Sequence, residues 1–185
     1  MNKVILVTGA AKRIGKQIAK EFFAIDFNII VHFNSSSEDA ISLCNELNAI
    51  RPNSAISIQA NLDHMSDVKN LASQAMSAFG RIDGLINNAS TFYPTPMGEF
   101  SEKDWDALMG SNLKAPLFLV QELHEELKRQ SGFVINITDP FGVHEDIQKK
   151  IFRHTSHAFA EDLTRVLTRA PSITDANLHR LAVPD

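Results

Sequence analysis

The sequence predicts an α/β domain built on a doubly wound parallel sheet of about six strands, and three observations predict it. Short apolar runs alternate with stretches of helical periodicity along nearly the whole chain. The first of these runs passes directly into "TGAAKRIG" (8–15), a glycine-bounded turn that opens a helix. The chain has 185 residues, 44% hydrophobic and 22% charged, which is enough for one full-sized core.

The elements follow in order. "KVILVT" (3–8) reads as a buried strand, after which Ile14, Ile18, Phe22 and Ile25 recur at helical spacing. "NIIVHF" (28–33) is the second strand, and Ala40, Cys44, Leu47 and Ile50 mark the inner stripe of a second helix. "SAISIQA" (54–60) is strand-like. Met65, Val68, Leu71, Ala72, Ala75 and Phe79 then mark a third helix, stopped by Gly80. "IDGLINN" (82–88) and "GFVINIT" (132–138) are the fourth and fifth strands. Between them runs a helical stretch over about 102–129, with Pro116 as a candidate kink. Strands joined by crossover helices form a parallel sheet covered on both faces. No linker, low-complexity run or repeat interrupts the alternation, so residues 1–185 are expected to form a single domain.

The bulk numbers exclude several classes. A net charge of -4 with no Lys/Arg-rich run argues against nucleic acid as the main partner. No apolar run approaches the roughly 18 residues that a membrane span needs. The N-terminal apolar run is followed by "TGAAKRIG" where a signal peptide would have its cleavage region. Cys44 is the only cysteine, which suits a reducing cytoplasm.

The chemistry starts at the first turn. Gly9 permits a tight bend and Gly15 lets the helix lie close to the strand, so the helix N-terminus faces an anion. The bland alternative is a βα turn that needs glycine only for geometry. A dinucleotide site usually has an acidic residue at the end of the second strand, to bind the adenosine ribose. Here "HFNSSSED" puts Phe33, Asn34 and Ser35 in that place. Hydroxyl and amide donors suit a 2′-phosphate, so NADP(H) is expected in preference to NAD(H). Ser36 or Ser37 is also expected to cap the next helix.

Taken together, "TGAAKRIG", "NNASTFYPTP" (87–96) and "MGSNLKAP" (109–116) resemble the short-chain dehydrogenase/reductase family. The resemblance is to its pteridine reductase branch, which has an Arg in the phosphate loop, as Arg13 here, and "NNAS" followed by "FYPTP". It covers about residues 1–140. It implies a Rossmann-like sheet in the order 3-2-1-4-5-6. Carried over by residue, Gly9, Arg13, Ile14 and Gly15 line the pyrophosphate, and Asn34, Ser35 and Ser36 meet the 2′-phosphate. Asn61 and Leu62 flank the adenine, and Asn88, Ala89 and Ser90 lie under the ribose and nicotinamide. Relatives often carry Arg at the place of Ser35 and Asp at that of Asn61. Phe92 stacks on a flat pterin, unless it is a plain loop anchor. Asn112 matches the helix asparagine that holds a proton-relay water. Asp139, closing "INITD", matches an aspartate of this branch and would deliver protons through water, unless it only begins a loop.

The family's catalytic pair, Tyr-x-x-x-Lys, belongs on the helix after the fifth strand, where the lysine lowers the tyrosine pKa. In that region stands "KKIFRHTSHAF" (149–159). Aligning on the apolar stripe of "SHAFAEDLTRVLTRAP" (156–171) puts Arg153 and His157 at the pair. Aligning on the distance from Asp139 puts Phe152 and Ser156 there. Tyr93 is the only tyrosine, and Met97 stands four residues after it, so the pair is absent from the chain. His154, His157 and Glu161 have the spacing of two metal ligands with no evident third, so no metal is expected. The chain ends at "LAVPD" where relatives continue, so the domain is expected to stop after its sixth strand. The functional expectation is an NADP(H)-dependent reductase of a pterin-like small molecule with impaired chemistry. The alternative is a non-catalytic NADP(H)-binding sensor or partner subunit. Homo-oligomers are expected to form through the helices at about 102–129 and 152–170.

Overall fold

The computed structural model describes residues 2–96 and 98–137. The expected sixth strand, the helix at about 152–170, Asp139 and the stretch 149–159 lie outside the described residues. Within them the chain alternates strand and helix: β1 (Val4–Val7), α1 (Arg13–Ala24), β2 (Asn28–Phe33), α2 (Ser37–Ile50), β3 (Ala55–Gln59), α3 (Met65–Phe79) and β4 (Gly84–Asn87). Then come α4 (Glu102–Met109), a π-helical turn (Gly110–Lys114), α5 (Ala115–Arg129) and β5 (Phe133–Asn136). The five strands pair in parallel in the order β3-β2-β1-β4-β5, as the sequence predicts for this part of the sheet.

All four residues of β1, and all four of β4, are buried. A strand covered on both faces has no polar side to show, which explains the unbroken apolar run. On one face Leu6, Ile30 and Leu85 pack with α3 and α5 through Val68, Leu71, Leu119 and Leu123. On the other, Ile5, Val7 and Ile29 pack with α1 and α2 through Ala19, Phe23, Leu43 and Leu47.

The helices correct three expectations. Ile50, expected on the inner stripe of α2, is 70% exposed because it is the last residue of the helix; Leu43 is buried with Ala40, Cys44 and Leu47. Ile14 and Ile25, the outer members of the apolar spacing in the first helix, are also exposed, and α1 buries Gly15, Ala19 and Phe23. Small residues at two of these three positions let the helix lie close to the sheet. Ser36 stands at the N-cap of α2 without a side-chain hydrogen bond; its backbone (φ -90°, ψ 57°) lacks the extended shape that swings a hydroxyl over the first turn. Gly80 does end α3, with φ +70° and its N–H bonded to the Met76 carbonyl.

The long stretch at 102–129 is two helices. Ser101 and Asp104 form a reciprocal capping box at the start of α4. The break is the π-helical turn, where the Ala115 N–H reaches back five residues to the Gly110 carbonyl. Pro116, at the start of α5, has no N–H for the carbonyl four residues earlier, so the ordinary helical ladder cannot run through this point.

Candidate dinucleotide cleft

From β1 the chain winds outward to β2 and β3, then returns to add β4 and β5 on the other side. The loops after β1 and β4 therefore diverge at the carboxyl edge of the sheet, the place where open α/β sheets bind ligands. A cleft of about 480 Å³ opens there.

One hydroxyl latches its two lips together. Thr8 Oγ1 accepts from the Asn88 N–H at 2.9 Å and the Ala89 N–H at 3.0 Å, and donates to the Ile86 carbonyl. Asn88 returns the contact, its Nδ2 donating to the Thr8 carbonyl at 2.9 Å and the Gly9 carbonyl at 3.2 Å. Gly9 has φ +63°, and a Cβ there would stand 3.0 Å from the Ala89 Cα. A Cβ on Gly15 would lie 2.6 Å from Asn88 Nδ2 and 2.9 Å from the Ala10 Cα, with the Gly9 carbonyl closer still. Both glycines are thus required by close backbone approach.

The mouth of the loop is positive. Lys12 occupies the N-cap of α1 without a side-chain cap, and the first turn has no acidic residue. Its unpaired N–H groups, with the exposed Lys12 and Arg13 side chains, make a seat for an anion. Arg13 holds φ +49°, a left-handed shape uncommon for a residue with a Cβ. Lys12 Nζ pairs with Asp39 of α2 at 3.0 Å. A bare-backboned, cationic turn of this kind fits a pyrophosphate.

Of the predicted cofactor residues, Gly9, Arg13, Ile14, Gly15, Asn34, Asn61, Leu62, Asn88, Ala89 and Ser90 line this one cleft. Ser35 and Ser36 stand beside it, where α2 begins, and are not among its lining residues. Asn61 is shaped by its own turn: its Oδ1 accepts from the Asp63 N–H at 3.1 Å, and its N–H donates to Asp67. Lys12, His32, Asp63, Thr91 and Ser111 also line the cleft, and sequence reasoning missed them. Lys12 was visible inside the glycine motif. His32 had a subtler signal, a histidine near the carboxyl end of an otherwise apolar strand. It is 1% exposed, and burial lowers its pKa to about 4, although a hydrogen bond with the Ala60 carbonyl works the other way.

Beyond the cleft, the loop after β4 is clamped twice. Asn112, in the π-helical turn, accepts from the Thr91 N–H at 2.9 Å and donates to the Thr91 carbonyl at 2.8 Å. Both ends of its amide thus hold the loop. Tyr93 donates its hydroxyl to Asp104 at 3.0 Å. The Ser101 hydroxyl and N–H, and then this tyrosine, hold the Asp104 carboxyl below its ordinary range. Phe92 sits between the two clamps, about half exposed. Among the described residues no group of three or more His, Cys, Asp or Glu is arranged to hold a metal, and no helix is long and apolar enough to cross a membrane.

A sequence profile described as short chain dehydrogenase matches residues 3–174. The chain belongs to the short-chain dehydrogenase/reductase family. Within that family it is 32% identical to pteridine reductase 1 of Leishmania tarentolae, over 95% of this chain and 72% of that protein. It is 33% identical to the 3-oxoacyl-[acyl-carrier-protein] reductase FabG of Staphylococcus epidermidis, over 77% of this chain and 58% of that protein. The hydroxynaphthalene reductase-like protein Arp2 of Metarhizium guizhouense is 31% identical over 72% of this chain and 49% of its own length. The chain thus spans only about half the length of the latter two relatives.

Proposed function

We propose that the protein is a single-domain NADP(H)-binding member of the short-chain dehydrogenase/reductase family, a pteridine reductase-like oxidoreductase with impaired chemistry. The observation that carries the cofactor part is the cleft: a latched glycine loop, two cations at its mouth, and no carboxylate at residues 33–36. NADPH, when bound, supplies a hydride. Gly9 and Gly15 keep the loop backbone bare for the pyrophosphate, and Lys12 and Arg13 balance its charge. Asn34 and the serines beginning α2 offer donors to a 2′-phosphate; Asn88, Ala89 and Ser90 form the floor under the nicotinamide end. Phe92 offers a flat ring to a pterin-like substrate, and that preference leans on the likeness to pteridine reductase 1.

The proton is the weak step. Tyr93 is the only tyrosine, and its hydroxyl is engaged by Asp104 on the loop after β4. The remaining source is Asp139 with water, relayed near Asn112. Losing a positioned general acid costs about 10²–10⁴-fold. We expect NADPH oxidation with dihydrobiopterin or folate to run well below about 1 s⁻¹. Turnover at or above that rate would refute the impairment, and Asp139→Asn would then test the proton source.

The committed tyrosine also favours a second reading, a non-catalytic NADP(H)-binding sensor or partner subunit. Tight NADPH binding with no turnover on any carbonyl or pterin substrate would select it. In either case pairing of copies is proposed through α4, α5 and the segment at about 152–170. The Cys44 thiol is buried, and burial pushes its pKa up to about 11, which makes it a poor nucleophile.

A further inference from the structure

We propose that His32 is the positioning residue of the cleft, a single neutral imidazole that ties the phosphate loop to the wall behind β3. The proposal rests on the reading that this cleft holds NADP(H). The Gly9 N–H donates to His32 Nδ1 at 3.0 Å, and on the other side of the ring Nε2 lies 3.1 Å from the Ala60 carbonyl. A nitrogen that accepts from an amide carries no proton, so the hydrogen sits on Nε2 and is donated to Ala60. The His32 main chain adds a third tie, its carbonyl accepting from the Ala10 N–H at 2.9 Å.

A buried histidine is most often a satisfied piece of core. The identity of its partners sets this one apart. Gly9 is the left-handed hinge of the phosphate loop, and Ala60 immediately precedes Asn61 and Leu62. His32 is itself a lining residue of the cleft. It therefore sets the distance between the pyrophosphate seat and the adenine wall without needing to touch a nucleotide. An apolar side chain of similar size would fill the space and leave the Gly9 N–H without its acceptor.

The test compares wild type with His32→Leu and His32→Gln; the amide of the latter offers an acceptor and a donor on one planar group. NADPH affinity is measured by calorimetry, stability by urea unfolding, and Gly9 amide exchange by NMR on the nucleotide-free protein. We expect His32→Leu to bind NADPH about tenfold more weakly, the size of one net hydrogen bond, and to exchange its Gly9 amide faster. His32→Gln should recover most of both. Equal affinity in all three proteins overturns the proposal, as does an affinity loss in both variants that only tracks lost stability. If wild type binds no NADPH, the cofactor reading fails, and Gly9 exchange then decides alone: unchanged exchange in His32→Leu overturns the tie. If His32→Leu does not fold, the ¹⁵N shifts of the wild-type ring decide. A protonated Nδ1 refutes the proposal and a protonated Nε2 supports it.

Discussion

Replacing His32 with glutamine should flatten the pH dependence of stability between pH 7 and pH 5. The folded protein holds this imidazole at about 4 against an ordinary 6.5, because burial penalises its charged form. Between those two values the unfolded chain takes up a proton that the folded chain refuses. The stabilisation is therefore complete above about pH 6.5 and drains away as pH falls toward 4. A gap of about 2.5 units corresponds to about 3 kcal/mol, of which about 2 kcal/mol is lost by pH 5. That is a large share of the roughly 5–15 kcal/mol that holds a domain together. Lys12, Arg13 and Asp63 line the same cleft, and other histidines and carboxylates titrate nearby in pH, so the wild-type slope alone is not diagnostic. Urea unfolding followed by circular dichroism, on wild type and His32→Gln at pH 7 and pH 5, isolates the one ring by subtraction. Wild type should lose about 2 kcal/mol more than the variant over this interval. Equal losses would show that the ring either charges inside the fold or escapes burial, and the reasoning would fail.

Three further outcomes follow from the same geometry. Gly15→Ala forces a Cβ against the Ala10 backbone and the Asn88 amide, so it should cost about 2–3 kcal/mol and lower Tm by about 4–12 °C, with weakened NADPH binding in titration. NADPH should bind more tightly than NADH in parallel fluorescence titrations, and Ser35→Arg should widen that preference in a salt-sensitive way, because it adds a fixed cation where α2 begins. Asn112→Ala strips Thr91 of both its partners, so the Thr91 amide should exchange faster by NMR, with about 2 kcal/mol lost in urea unfolding.

The sheet was legible because parallel strands leave a coarse trace: "VILV", "NIIVHF" and "GLIN" are buried nearly end to end, and the first two lead into a glycine turn and a helix. The phosphate loop was legible for a related reason, since Gly9 and Gly15 answer steric demands that no other residue meets. The helix faces were read less well. Apolar spacing cannot tell which isoleucine stays exposed, and Ile14, Ile25 and Ile50 all do. The π-helical turn was reduced to a proline, although the shift to a five-residue hydrogen bond involves Gly110 and Ala115. His32 was hidden because its partners are a backbone N–H and a backbone carbonyl, 23 and 28 residues away, which no side-chain pattern announces.

Those same contacts bear on how binding and chemistry divide in this chain. The cleft is held by Thr8 with Asn88, by His32 with Gly9 and Ala60, and by Asn112 with Thr91. Each tie joins residues between β1 and α5. The glycine loop, the wall after β3 and the loop after β4 are therefore tied to one another within residues 8–112. The cavity and its glycine approaches are formed by the same part of the chain. Affinity for NADP(H) and turnover should accordingly vary independently among variants. Changes at Gly15 or His32 should weaken NADPH binding in titration, whereas Arg153→Tyr with His157→Lys should tighten it through the new lysine and leave steady-state NADPH oxidation well below about 1 s⁻¹.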